Sequence, residues 1–365
     1  MKIIRTIVAT KRDLATKITR LLVATSVCFS ANAFSVTELR VGTWLPPTHK
    51  QNSVVWPTWA KWVEEATEGR VKVKLEYGLG HPKSMFQLVE DGVIDASFSN
   101  HGYVPGRFKL PLLVEQPWLG VGAEAASVAL WRVHDKYLRQ ANEFDGLELL
   151  ALFTHGPGTI QSNFRITTMR DLEGKKIRIG GGVQTVLAEH MKATPVGAPA
   201  TKAYEMLQQG VIDGIFMPMS EQNSLRLAEV TKYITIFPEG MYMGSFSMFI
   251  NPDFLDSLSA RDRKAIMAVS GEKLSRLAGA AWESGDGEGF VAAHQAGIEI
   301  NEVGAASILS HQFNNLIAKM DQQWIESVSD RNVDAAAALA ELRSTARNYR
   351  RTDEQNKELA GVIKQ

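Results

Sequence analysis

The chain has a single cysteine in 365 residues, Cys28, and it lies in the opening stretch of the sequence. Everything after it is therefore without disulfides or thiol nucleophiles, and its stability has to come from a packed core. Other absences narrow the function. No Gly-x-Ser-x-Gly elbow is present for a serine hydrolase, and no Gly-Lys-Ser/Thr completes a phosphate-binding loop. The eight histidines are scattered, without the close pairs of a metal site, so neither metal nor cofactor is expected. Beyond the N-terminus no apolar run is long enough to span a membrane. No low-complexity linker divides the chain.

A targeting segment comes first. Lys2, Arg5, Lys11, Arg12, Lys17 and Arg20 form a basic region, Leu21–Ser30 is a short apolar core, and Ala31-Asn32-Ala33 fits the small-x-small cleavage rule. Cys28 follows Val27, a poor fit to a lipid-attachment site. The expectation is an exported, periplasmic chain cleaved after Ala33. Residues 1–33 hold six Lys or Arg and one Asp, which leaves 34 basic and 39 acidic residues, a net charge of −5. That mildly acidic balance argues against nucleic acid as a partner.

Alternating apolar residues predict strands at Leu39–Leu45, Val71–Tyr77 and Val93–Phe98, with helices at His49–Thr67 and Ser84–Asp91 between them. This β-α-β-α-β order implies a parallel sheet with helices on its faces. A further helix, Ala123–Arg139, and a strand, Leu147–Thr154, complete the first half. The pattern then repeats: a strand at Lys175–Ile179, helices at Gln184–Lys192 and Thr201–Gln209, and a strand at Gly210–Phe216. Gly-Val-Ile-Asp occurs twice, at Gly92–Asp95 and Gly210–Asp213, each time where a helix hands over to a strand. Two related α/β lobes follow from this. Met241–Ile250 reads as a long strand crossing between them. Ser259 caps a helical run from Ala260 to about Trp282, and Ala305–Arg347 is helical. The expected division is 34–156 with roughly 247–290 in one lobe, and 157–246 with roughly 291–365 in the other.

Ligands of such sheets sit beyond the carboxyl ends of the strands. Arg178 stands on a strand that ends in Gly180-Gly181-Gly182 before a helix. Its planar fork suits a carboxylate, where a lysine offers only a point charge. The glycines are given a supporting, geometric role. Trp44 closes the first strand and fits a pocket wall or a core position. Asn100 and His101 close the third, facing the cleft or capping their own turn. His155, before Gly156-Pro157-Gly158, reads as hinge or pocket. Met217, Met219, Met243 and Phe246 fit an apolar wall opposite Trp44, or plain core. Glu221 either bonds a ligand hydroxyl or amine or begins a helix. Arg107 reads as structural, and Arg165 is a second basic candidate. No catalytic residue is assigned.

The sequence resembles the DctP family of extracytoplasmic solute receptors of tripartite ATP-independent periplasmic (TRAP) transporters. The resemblance rests on the order of Leu39–Trp44, Tyr77-Gly78-Leu79-Gly80, Asp91–Asp95, Pro105–Phe108, Gly174–Arg178, Ala193–Val196, Gly210–Gly214 and Glu229–Tyr233. It implies a two-lobed α/β, periplasmic binding protein-like fold with mixed sheets, a crossing strand and a long connecting helix. It also implies a small carboxylate ligand clamped by the arginine matching Arg178, and as partners the small and large integral membrane subunits of the transporter. Two departures stand out. Some members carry a second arginine in the segment matching His155–Thr159, and this chain has none there. Many have Asn where this chain has Met217. Both favour a smaller, less polar or aromatic acid over a sugar acid. The competing readings are a binding protein of another importer or of a sensor, and an exported hydrolase.

Overall fold

The computed structural model describes residues 36–362, so the targeting segment and its cleavage after Ala33 lie outside the described residues. The first half keeps the order of elements that the alternation predicts, although the strand expected at Val93–Phe98 begins only at Ala96. β1 (Thr37–Thr43) is followed by α1 (Trp56–Ala66), β2 (Val71–Tyr77), α2 (Met85–Glu90), β3 (Ala96–Asn100), α3 (Ala123–Val133) and β4 (Glu148–Thr154). β1 pairs in parallel with both β2 and β3, the arrangement that helical crossovers produce. Pro57 sits in the first turn of α1, directly after a π-helical turn at Gln51–Val55, so the helical ladder changes type where the proline lacks an N–H. Trp56, Trp59 and Val63 form the buried face of that helix.

A second sheet follows, built from β5 (Gly158–Ser162), β6 (Lys176–Ile179), α4 (Val183–His190), β7 (Thr194–Gly197), α5 (Ala203–Gln208), β8 (Gly214–Pro218), α6 (Glu221–Ser224) and β9 (Tyr233–Ile236). β10 (Ser245–Ile250) then returns to the first sheet and lies antiparallel between β3 and β4. After α7 (Pro252–Ser257), α8 (Ala260–Ala268) and α9 (Glu272–Gln295), β11 (Glu299–Glu302) joins the second sheet beside β9. Three helices finish the chain: α10 (Ile308–Ile317), α11 (Met320–Ser327) and α12 (Ala335–Val362). The strand orders are β2-β1-β3-β10-β4 and β11-β9-β5-β8-β6-β7. Each sheet has its own apolar core, so the fold is two-lobed α/β. The chain passes between lobes at His155-Gly156-Pro157 and before β10, while α9 packs on α3 of the first lobe and α6 of the second.

The repeated Gly-Val-Ile-Asp does the same work in both lobes. Gly92 and Gly210 each end a helix with φ of 67°, a left-handed conformation that favours glycine. The isoleucines are buried and the valines exposed. Each aspartate then accepts the backbone N–H of a neighbouring strand at 2.7 Å, Asp95 from Arg40 and Asp213 from Lys176. The motif thereby fixes where each parallel strand starts.

Three further expectations are corrected. The strand expected over Met241–Ile250 begins only at Ser245, because the Gly244 N–H donates to the His155 ring. The long run from Ala260 is broken at Gly271, whose φ is 67° and whose N–H donates to the Leu150 carbonyl at 2.7 Å. Within 291–365, which the sequence groups with the second lobe, Leu309, Phe313 and Ile317 do lie in the second core, whereas Trp324, Val328, Leu339 and Leu342 lie in the first. An amphipathic stripe reveals that a face is buried and leaves its partner open. Among the described residues no helix is long and apolar enough to cross a membrane.

Candidate functional site

The carboxyl ends of β1, β3, β6 and β8 converge where the lobes meet, and a cavity of about 30 Å³ lies there. Trp44, Asn100, His155, Arg178, Met217, Glu221 and Phe246 all line it. These seven come from both lobes, so the cavity is enclosed only while the lobes are together.

Arg178 is the only cation among the lining residues, and it is 2% exposed. Its Nε donates to the Ala198 carbonyl at 2.8 Å and its Nη1 to the Met217 sulfur at 3.2 Å. Its Nη2 is 3.5 Å from the Tyr103 hydroxyl. A guanidinium has more N–H donors than these contacts use, and among the described residues Arg178 forms no ion pair. The one carboxylate in the lining, Glu221, is held by His49 and Ser224, so Arg178 is buried without a directly paired counter-charge, a costly arrangement that a bound anion relieves.

Two neighbours add donors. The Tyr103 hydroxyl accepts the Ala200 N–H at 3.0 Å, which leaves its own proton to donate. Burial raises the Tyr103 pKa against the pull of Arg178, so that proton is retained. Gln184 accepts the Gly180 N–H through Oε1 at 2.9 Å, which turns its amide nitrogen the other way and fixes the flip. The glycines between them serve close packing. A Cβ on Gly181 would stand 2.1 Å from the Gly102 carbonyl oxygen, and the Val183 N–H is already taken by Glu115 at 3.0 Å.

The remaining walls are aromatic. The Trp44 indole donates to the Phe98 carbonyl at 2.8 Å and stacks on the Phe98 ring at 5.1 Å, so only an apolar surface is left for the cavity. Phe246 packs on Trp282 at 4.8 Å between centroids. Asn100 lines the site while capping its own turn, accepting the Gly102 N–H at 2.9 Å. The His155 Nε2 accepts the Gly244 N–H at 2.9 Å, and its Nδ1 faces the Gly156 carbonyl. Burial lowers the His155 pKa to about 4, which keeps the ring neutral. Glu221 is deeply buried, which pushes its carboxyl upward. The His49 hydrogen bond and charge and the Ser224 hydroxyl outweigh that, and the net shift is downward.

His101 and Met219 are placed elsewhere. The His101 ring is clamped between the hydroxyls of Ser245 and Ser247, 3.0 Å from each, within the aromatic packing of Phe86, Phe108 and Phe144. β3 ends one residue earlier, so this side chain turns inward instead of toward the cleft. Met219 is buried with Ile234, Ala293 and Ile298, under α9. Met243 belongs to the first core. Arg107 pairs with Glu90, and Arg165 pairs with Glu299 on the surface. Tyr103, Gln184 and Trp282 were not singled out in the sequence. Tyr103 had the best signal, lying just past the polar end of β3; Trp282 lies far along a helix and gave none.

The description bacterial extracellular solute-binding protein, family 7, belongs to the family model that matches residues 41–330. The chain is a member of this family. It is similar to a TRAP periplasmic solute-binding protein from Bordetella bronchiseptica with bound (R)- and (S)-mandelate, at 33% identity and a TM-score of 0.83, covering 86% of this chain and 99% of that one. It is also similar to a TRAP solute-binding protein from Rhodoferax ferrireducens in complex with copurified benzoate, at 26% identity and a TM-score of 0.81, covering 87% and 100%. A marine metagenome TRAP solute-binding protein specific for aromatic acids, complexed with 3-hydroxybenzoate, matches at 29% identity and a TM-score of 0.79, covering 86% and 99%. Family 7 proteins are transport receptors of the periplasm. The exported-hydrolase reading is set aside with this membership.

Proposed function

We propose that this family 7 receptor captures a small aromatic carboxylate between its lobes and delivers it to the small and large membrane subunits of a TRAP transporter. One observation carries the reading. Arg178 is buried at a strand end, forms no ion pair among the described residues, and is flanked by the Tyr103 hydroxyl and the Gln184 amide. A carboxylate there accepts a bidentate pair of N–H bonds from Arg178. Trp44, Phe246, Trp282 and Met217 offer flat apolar contact to a ring, which suits benzoate-like acids better than polyhydroxylated ones. Binding draws residues of both lobes onto one ligand and so biases an open–closed equilibrium toward closure. Export through the N-terminal segment, with cleavage after Ala33, belongs to the same reading.

The test is thermal unfolding with benzoate, mandelate, succinate and glucuronate, on the parent and on Arg178→Ala. At a concentration one hundred times Kd, a ligand bound only by the folded state adds about 2.7 kcal/mol of stability. Benzoate or mandelate is expected to raise the melting temperature of the parent and leave that of Arg178→Ala unmoved. If the acids stabilise both proteins equally, Arg178 is not the clamp.

A further inference from the structure

A second, larger cavity of about 390 Å³ adjoins the acid site. Trp282 lines both. Where they approach, Glu221 faces the inner cavity and His49 the outer one, and the two side chains meet with His49 Nε2 at 3.4 Å from Glu221 Oε1. His49 belongs to the first lobe and Glu221 to the second. The pair is built rather than incidental. The Gln51 backbone N–H donates to His49 Nδ1 at 3.2 Å, so in the neutral ring the proton sits on Nε2, directed at Glu221. The His49 ring stands edge-on to Trp282 at 5.2 Å. Ser224 holds the other Glu221 oxygen. Both side chains are almost wholly buried. Outside them, Lys50 pairs with Glu288 at 2.6 Å, and Asn223 donates to the same carboxylate.

We infer that His49 and Glu221 form an interlobe gate that ends the acid site and sets the length of acid it accepts. The inference rests on the reading of the inner cavity as a carboxylate site. With the gate shut, the space beside Arg178 is about 30 Å³, so an acid enters only as the walls part, and a compact body needs them to part least. With either gate side chain cut back, the inner cavity opens into the outer one, and a longer acid extends between Trp282 and the loop at Pro46–Lys50. Glu221 therefore limits length, and its carboxylate already has donors from His49 and Ser224 without a ligand hydroxyl or amine.

The experiment measures Kd for benzoate and for biphenyl-4-carboxylate by calorimetry on the parent, His49→Ala and Glu221→Ala. The expected result is that the ratio of the biphenyl-4-carboxylate Kd to the benzoate Kd falls at least tenfold in both variants. Circular dichroism melts show whether each variant folds, and either folded variant suffices. If the parent and a variant bind benzoate and the ratio is unchanged, the gate is overturned while the acid site stands. If the parent binds biphenyl-4-carboxylate as tightly as benzoate, the gate is likewise overturned. If the parent binds neither benzoate nor mandelate, the reading of the acid site fails, and the gate with it.

Discussion

The Tyr103 hydroxyl of the first lobe lies 3.5 Å from Nη2 of Arg178 in the second. Arg178 donates to the Tyr103 oxygen at the long end of hydrogen-bond range, that oxygen also accepts the Ala200 N–H at 3.0 Å, and the Tyr103 proton and the remaining guanidinium N–H groups are left to donate. Two donors converging across a domain interface want a shared acceptor. A ligand carboxylate supplies it and joins the lobes.

Tyr103→Phe removes one of these donors and keeps the ring beside Trp44, which it meets at 5.8 Å between centroids. A hydrogen bond to a charged group contributes about 1.5–3 kcal/mol, so Kd for benzoate should rise roughly tenfold or more. Calorimetry measures this directly. Equal affinities would take the hydroxyl out of the site.

Arg178 should cost the ligand-free protein stability, because its charge is buried and no carboxylate among the described residues pairs with it directly. Arg178→Met has a comparable length and no charge. It is expected to abolish benzoate binding while leaving the melting temperature of the ligand-free protein equal to or above that of the parent. A marked fall in melting temperature would mean that the Ala198 and Met217 contacts stabilise more than burying the charge costs.

Much of this arrangement was legible in the sequence. The alternating strands, the doubled Gly-Val-Ile-Asp and the strand-end position of Arg178 placed the site at the meeting of two sheets. Local pattern carries such information well, since strand period and helix caps depend on near neighbours. Long-range pairing was less accessible. Nothing near Trp282 in sequence indicates that it borders the cleft, and nothing near His101 indicates that its ring turns into a cage of phenylalanines. Likewise, the alanine-rich stripe of α12 does not say which lobe it covers.

Helix α9 meets the second lobe through glycine. A Cβ on Gly289 would stand 1.9 Å from the Met219 carbonyl oxygen, a backbone atom that cannot rotate away. Gly289→Ala therefore has to push α9 off the second lobe. Overpacking of this kind costs about 1–3 kcal/mol. The closed form should lose most, so benzoate affinity should fall along with the melting temperature, although the residue does not line the acid site. An unchanged Kd would show that α9 moves without affecting closure.

Glu115 ties three parts of the molecule together. Its Oε1 accepts the Ser245 N–H at 2.9 Å and the Ser245 hydroxyl at 2.7 Å, and its Oε2 accepts the Val183 N–H at 3.0 Å at the start of α4. Burial raises its pKa from 4.5 to about 7, against the lowering effect of those donors. Between these values the folded protein holds a proton that the unfolded chain has released. The contribution of Glu115 is therefore fully present below pH 4.5, declines as pH rises, and levels off above about 7. Asp286, raised to about 7 by burial, acts in the same sense. His101, His134 and His155, lowered by burial to about 3, 4 and 4 from 6.5, act in the opposite sense as pH falls below 6.5. The total profile mixes these effects, so the useful quantity is the difference in melting temperature between the parent and Glu115→Gln. Glutamine cannot titrate, and its amide meets at least one backbone donor with a donor of its own, so the variant should melt lower throughout. The gap should be widest near pH 4.5, narrow toward pH 7 and hold steady above it. A gap that stays constant across this window would mean that the Glu115 carboxyl titrates in the folded protein as it does in the unfolded chain.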